Sequence, residues 1–197
     1  MRTTRLAFPA GLLSSLLVTM NVTVLAAPAW AQGLPGAELF AGYSYLRIDA
    51  GADPGGLFSG ETRGLHGAEA SLTVRLGGPV GLRLGASYHH KAVAVSVGEI
   101  ALTAYEYLAG LQLAPARVRS VKPFVYAMAG IAKLEIESEL LGVDQYETGL
   151  AGAVGGGIDI RLGSRIDLRL LEIDYNQTRL FDGKQHNYRA AAGLVLH

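Results

Sequence analysis

An all-β fold closed into an eight-stranded, antiparallel, up-and-down barrel is what this sequence predicts, and three observations predict it. Eight segments alternate apolar and polar residues with a period of two. Beyond residue 31, no apolar run reaches the ~18 residues of a helical membrane span. Glycine accounts for 26 of 197 residues, close to twice the ordinary ~7%.

The first strand is read at about 38–48, with Leu39, Ala41, Tyr43 and Tyr45 on one face and Glu38, Phe40, Gly42 and Ser44 on the other. The second, about 65–76, alternates most cleanly: Ala68, Ala70, Leu72, Val74 and Leu76 against Gly67, Glu69, Ser71, Thr73 and Arg75. Gly77-Gly78-Pro79 turns the chain into a third strand at about 80–90, where Leu82, Leu84, Ala86 and Tyr88 oppose Arg83, Gly85, Ser87 and His89. The fourth, about 100–113, sets Tyr105, Tyr107, Ala109 and Leu111 against Glu106, Gly110 and Gln112. Pro115 ends it, because proline has no N–H for a ladder.

A fifth strand at about 121–136 is apolar on both faces between Phe124 and Ile131. The sixth, about 148–161, alternates best at Val154–Arg161. The seventh, about 165–178, changes phase at Leu170-Leu171, where a β-bulge would restore the faces. The eighth, about 187–197, sets Tyr188, Ala190, Ala192 and Leu194 against Arg189, Ala191 and Gly193.

Residues 1–31 read as a secretory signal. Arg2 and Arg5 precede an apolar core at about 12–25, and Ala29-Trp30-Ala31 fits the small-x-small cleavage rule. The 166 residues that follow suit one domain, 32–197. That domain carries 15 Lys and Arg against 17 Asp and Glu, so it lacks the basic face that nucleic-acid binding needs. The chain has no cysteine, which excludes disulfides, thiol catalysis, thiolate metal sites and a lipoprotein anchor. No phosphate loop, dinucleotide fingerprint or zinc motif occurs, and no cofactor is expected.

Alternation alone does not say which face is inside. A soluble barrel encloses its apolar face and a membrane barrel turns it outward. Three features favour the membrane. Connections alternate between short (77–79, 114–120, 162–164) and long (49–63, 91–99, 137–147, 179–185). The polar face mixes ions with glycine, which suits a narrow lumen. Tyr45, Tyr88, Tyr105, Tyr146, Tyr175 and Tyr188 all fall toward one rim, as in an interfacial belt.

The expected lumen network comprises Glu69, Arg75, Arg83, Glu106, Asp159, Arg161, Asp167, Arg169, Glu172, Asp174 and Arg189. Buried charges must be paired, so these residues are read as a structural plug. A narrow passive pore is the alternative. Ser87, His89 and Glu106 supply residue types for a lipid hydrolase, but no nucleophile elbow is present. His89-His90 is a poor metal pair, because adjacent strand residues point to opposite faces. Glu135, Glu137, Glu139, Asp144 and Glu147 form an acidic loop region without calcium-loop spacing.

Three stretches carry a family resemblance: Glu38-Leu39-Phe40-Ala41-Gly42-Tyr43-Ser44-Tyr45-Leu46-Arg47, Val154–Arg161 with Leu168-Arg169-Leu170 and Asp174-Tyr175, and Asn187-Tyr188-Arg189 with Ala192–Val195. They resemble the first, sixth, seventh and closing strands of small bacterial outer-membrane β-barrel domain proteins of the outer membrane protein A type. The resemblance implies a monomeric eight-stranded barrel, exported to the outer membrane and mostly without an assigned activity. Its implied partners are outer-membrane lipid, lipopolysaccharide and the barrel assembly machinery. Its implied role is structural or one of surface interaction. Such proteins usually end in an aromatic assembly signal, whereas this sequence closes on Leu196-His197.

Overall fold

The structure is a computed structural model that describes residues 36–49, 64–95, 98–138, 143–180 and 183–197. The signal segment expected at 1–31 lies outside the described residues. Eight strands form: β1 (Ala37–Asp49), β2 (Gly64–Gly77), β3 (Val80–Val95), β4 (Gly98–Leu113), β5 (Val121–Ser138), β6 (Val143–Arg161), β7 (Ile166–Leu180) and β8 (Gly183–Leu196). Each pairs antiparallel with the next, and β1 pairs with β8 to close the barrel. Closure leaves no open edge, as lipid requires of a β structure.

The faces are those of a membrane barrel. Arg83, Asp159, Glu172 and Arg169 are buried inside. Leu82, Leu84, Leu111, Val125, Ile131, Val154 and Leu194 stand outside, each 40% exposed or more. The outward apolar belt is eleven residues tall on β5 (Val121 to Ile131) and on β6 (Leu150 to Ile160). That matches the ~9–11 tilted residues that cross a bilayer.

The strands run further than their periodicity suggests. The segments at 91–99, 137–147 and 179–185, expected as long loops, are largely strand, with β5 reaching 18 residues and β6 19. The cause is a change of chemistry along the barrel. At this hairpin end Leu46, Leu65, Leu102, Ala104 and Leu134 turn inward and pack together. Lys133 and Glu135 on β5 and Tyr146 on the adjacent β6 face outward at the same level. The apolar side is therefore outside at bilayer height and inside above it, and the ladder continues through both. The expected loop at 49–63 lies mostly outside the described residues.

Strand β5 has two apolar faces because its lumen side carries Phe124, Tyr126 and Met128 after Lys122. The bulge expected at Leu170-Leu171 is present. Arg169 pairs with Asp159 and Leu171 with Ile158, so Leu170 is the extra residue, and both leucines remain outward.

Two glycine sites shape the closure. Gly78 adopts φ 54° in the β2–β3 turn, a left-handed conformation that glycine adopts without steric cost. At the β1–β8 seam, Gly42 faces Gly193 in register. A Cβ on Gly193 would lie 2.3 Å from the Ala41 carbonyl oxygen and 2.4 Å from the Gly42 Cα. Gly193→Val is therefore expected to lower barrel stability by about 1–3 kcal/mol, the usual cost of overpacking. Urea unfolding followed by the heat-dependent shift in gel mobility measures this, and an unchanged midpoint would refute the packing argument.

Candidate functional site

Side chains from all the strands converge on the barrel axis in tiers. Nearest the turn end, which carries residues 77–79, 114–120 and 162–165, Glu38 accepts from Lys122 Nζ (2.7 Å) and from Arg75 Nη2 (2.9 Å). Lys122 also reaches Asp159 at 3.3 Å. Asp167 is held by Arg117 and by His197 Nε2 (2.8 Å).

The middle tier belongs to two arginines. Arg169 clasps Asp159 through Nε (2.8 Å) and Nη2 (3.2 Å) and gives Nη1 to Glu172 (2.7 Å). Arg83 donates to Glu172 (2.6 Å), Glu69 (3.2 Å) and Gln112 (3.1 Å). Aromatic faces fill the remaining sides. The Arg169 guanidinium lies 4.3 Å from the Phe40 ring centre and 4.2 Å from that of Phe124, and Arg83 lies 4.2 Å from that of Tyr126. Such stacking suits the weakly hydrated, planar guanidinium better than it would an ammonium.

Above it, Arg189 binds Asp174 (2.8 Å), Glu106 (3.0 Å), Glu69 (3.4 Å) and Ser87 Oγ (3.1 Å). Tyr126 donates to Asp174 at 2.7 Å, and Asn176 donates to Glu106 at 2.6 Å. His89 Nε2 meets Ser44 Oγ at 2.9 Å. The inward apolar cluster around Leu65 and Leu102 comes next and caps the column toward the hairpin end.

Nine of the eleven residues expected in the lumen are buried there: Glu69, Arg83, Glu106, Asp159, Asp167, Arg169, Glu172, Asp174 and Arg189. Arg75 and Arg161 correct that expectation. Both stand on the lumen face at the turn end but are exposed, because the barrel opens beside them into a cavity that they help to line. Sequence reading missed the Glu38–Lys122 pair. Glu38 sat on the polar face of its strand, but Lys122 was hidden in a strand whose inward side is mostly aromatic and aliphatic.

The hydrolase constellation is not assembled. His89 is committed to Ser44, Ser87 to Arg189, and Glu106 to Arg189 and Asn176, all buried. His89 and His90 diverge as adjacent strand residues must, His90 pairing outside with Thr103 Oγ1 at 3.0 Å. In the acidic region, Glu135 pairs with Lys133 (2.6 Å), whose ammonium also lies over the Tyr146 ring. Glu139 lies outside the described residues.

On the outer surface, a ring of tyrosine and histidine borders the apolar belt at the hairpin end. His66 packs at tilted angles against Tyr43 and Tyr45, and its Nδ1 is hydrogen-bonded to the Tyr43 hydroxyl. Tyr88 meets Tyr105 with ring centres 5.3 Å apart, and Tyr175 meets both His186 and Tyr188. Amphipathic rings of this kind favour the boundary between hydrocarbon and headgroups.

A closed antiparallel barrel with a greasy exterior, an ion-paired interior and an aromatic girdle defines the class of small outer-membrane barrels. The chain belongs to the family described as outer membrane protein beta-barrel domain, whose model matches residues 15–195. Two solved structures share the fold. Neisserial surface protein A (NspA) has TM-score 0.64 at 14% identity, with 82% of this chain and 96% of that one covered. Ail, the attachment invasion locus protein of Yersinia pestis, solved with the heparin analogue sucrose octasulfate, has TM-score 0.55 at 16% identity, with 81% and 97% covered. No curated protein matches the chain by sequence.

Breaking one buried pair leaves a charge without its partner, which costs about 3–5 kcal/mol. Arg169→Met should destabilise the barrel by that amount, because Asp159 loses two of its hydrogen bonds. Adding Asp159→Asn should recover a substantial part of the loss. Urea midpoints of the wild type, the two single variants and the double variant test this, and strictly additive effects would show that the pair is not coupled.

Proposed function

We propose that this protein is a monomeric outer-membrane barrel that presents the hairpin end of its sheet to the cell exterior for structural or surface-interaction purposes, and that it does not pass solutes. The filled lumen carries this reading. Arg83, Arg169 and Arg189 are each tied to carboxylates from other strands across mid-height, and above them an apolar cluster fills the side lined by β1, β2, β4 and β5. An eight-stranded interior is just wide enough for side chains to fill it. What the barrel offers to other molecules is then its rim. Strands β3 to β6 continue past the apolar belt as folded sheet, so this rim is stiffer than loops of equal length. The names of NspA and Ail, a surface protein and an attachment protein, are in keeping with such a role.

Under this reading the tyrosine–histidine ring meets lipid headgroups and lipopolysaccharide, and the short turns face the periplasm. The chain would enter the membrane through the barrel assembly machinery. The open cavity at the turn end is the observation that favours a narrow pore instead.

Two measurements separate these readings. Planar bilayers containing the refolded protein should show no stepwise conductance, and regular steps from the wild type would establish the pore. An epitope inserted between β5 and β6 should bind antibody on intact cells, and one inserted between β2 and β3 should not. The opposite pattern would overturn the proposed orientation.

A further inference from the structure

The turn end of the barrel is positively charged to a degree that its structural role does not account for. A cavity of about 730 Å³ opens there, and Arg75, Arg117, Lys122, Arg161 and His197 contribute to its wall. The rest of the wall is turn backbone and small apolar side chains from Gly78, Pro79, Ala114, Pro115 and Ala116. The three carboxylates that share these cations, Glu38, Asp159 and Asp167, are themselves buried and already paired. Arg161 makes no ion pair among the described residues, although it stands on the lumen face two positions beyond the buried Asp159 in the β6 alternation. Arg119 and Arg165 lie exposed in the adjoining turns, and no exposed Asp or Glu side chain occurs among the described residues of this end. Ion pairing alone would have been met by fewer cations.

We propose that this mouth is a binding site for a phosphate monoester. Arginine forks match the oxygen spacing of phosphoryl groups, and several permanent cations around one cleft suit a group carrying close to two negative charges. A cleft of one sign with low-dielectric walls focuses the field and concentrates such anions. The volume exceeds that of phosphate alone and lies within the range of small-molecule sites. It therefore has room for the organic part of the ester beside the apolar turn residues. The column of paired side chains blocks onward passage, so the site captures its ligand rather than conducting it. The inference does not depend on the surface role of the opposite rim.

The shared chemistry is the phosphoryl group, and a soluble ester or a lipid headgroup could supply it. The test uses the protein folded in phosphatidylcholine nanodiscs at fixed pH, with inorganic phosphate as the probe. The ring C–H signals of His197, which lines the cavity, should shift saturably, while those of His66, His90 and His186 on the outer surface should not. Arg161→Gln removes a cation without breaking an ion pair and should weaken the midpoint about tenfold, as expected for one charge-assisted contact. Arg179→Gln, near the opposite rim, should leave it unchanged. Heat-shifted gel mobility verifies that each variant is folded.

Nanodiscs containing phosphatidic acid distinguish the sources. If the His197 signal is already displaced and no longer responds to phosphate, the lipid supplies the group. If the titration is unchanged, the ligand is a soluble ester. The proposal is overturned if His197 does not shift, if sodium chloride at matched ionic strength reproduces the shift, or if folded Arg161→Gln binds as the wild type does.

Discussion

Arg83, Arg169 and Arg189 occupy a lumen too narrow for bulk water, so each guanidinium must find its counter-charges among side chains, most of them arriving from other strands. Glu69 from β2 and Glu172 from β7 meet on Arg83 of β3. Glu69, Glu106 from β4 and Asp174 meet on Arg189 of β8. An unpaired ion there would cost several kcal/mol, whereas the pairs together cost far less and are rigid. The consequence is geometric. Because one carboxylate serves two arginines from different strands, neither strand can slip along its neighbour without separating charges across the whole ring. The outer face supplies no comparable constraint, since one leucine in lipid is much like another. Register in this barrel is therefore specified from the inside.

The same strands obey a second rule a few residues further on. At bilayer height the solvent outside is hydrocarbon, and ions go inward. Beyond the tyrosine–histidine ring the solvent outside is water, and Leu46, Leu65, Leu102 and Leu134 go inward instead. The backbone does not change, because the ladder satisfies its own N–H and C=O groups in either medium. Only the identity of the buried face changes. The ring marks the level of that exchange, with its phenol and imidazole groups tolerating both media. On the β7–β8 side the inward groups stay polar, with Thr178, Gln185 and Asn187 bonded to one another, so the apolar cap is one-sided.

This exchange explains how much could be read from the chain alone. Period-two alternation with apolar faces about 9–11 residues tall is a bilayer-height signal, and β2, β3 and β8 were legible from it, as was the bulge at Leu170-Leu171. Past the girdle the alternation inverts. A segment such as 137–147 then looks like a charged loop, although β5 runs to Ser138 and β6 begins at Val143. Strand β5 was obscure for a related reason. Phe124 and Tyr126 line the lumen because arginine stacks on aromatic faces, and a polar partner of that kind is indistinguishable in sequence from a lipid-facing residue. Of the site, the nine buried charges followed from alternation, but their pairing did not. Which carboxylate meets which arginine depends on the shear of the closed barrel, which brings together residues as distant as Ser87 and Arg189. Nothing in a local pattern reports that.

The two ends of the barrel follow from these rules in different ways. The hairpin end can be filled by carbon packing on the β1, β2, β4 and β5 side and by side-chain hydrogen bonds on the β7–β8 side, because its strands rise into water. The turn end has no such extension: its connections are short, and the apolar belt runs almost to the turns. Its interior must then pass from buried ions to solvent over one or two residues. Charges near this boundary lose less hydration than those at mid-height, so unpaired cations such as Arg161 are tolerated there and nowhere deeper. Tolerance explains why exposed charge is permitted at this mouth, but it is blind to sign and would admit glutamate as readily as arginine. A run of arginines with no exposed Asp or Glu side chain among the described residues is thus a feature of the barrel that neither closure, nor pairing, nor the exchange of faces requires.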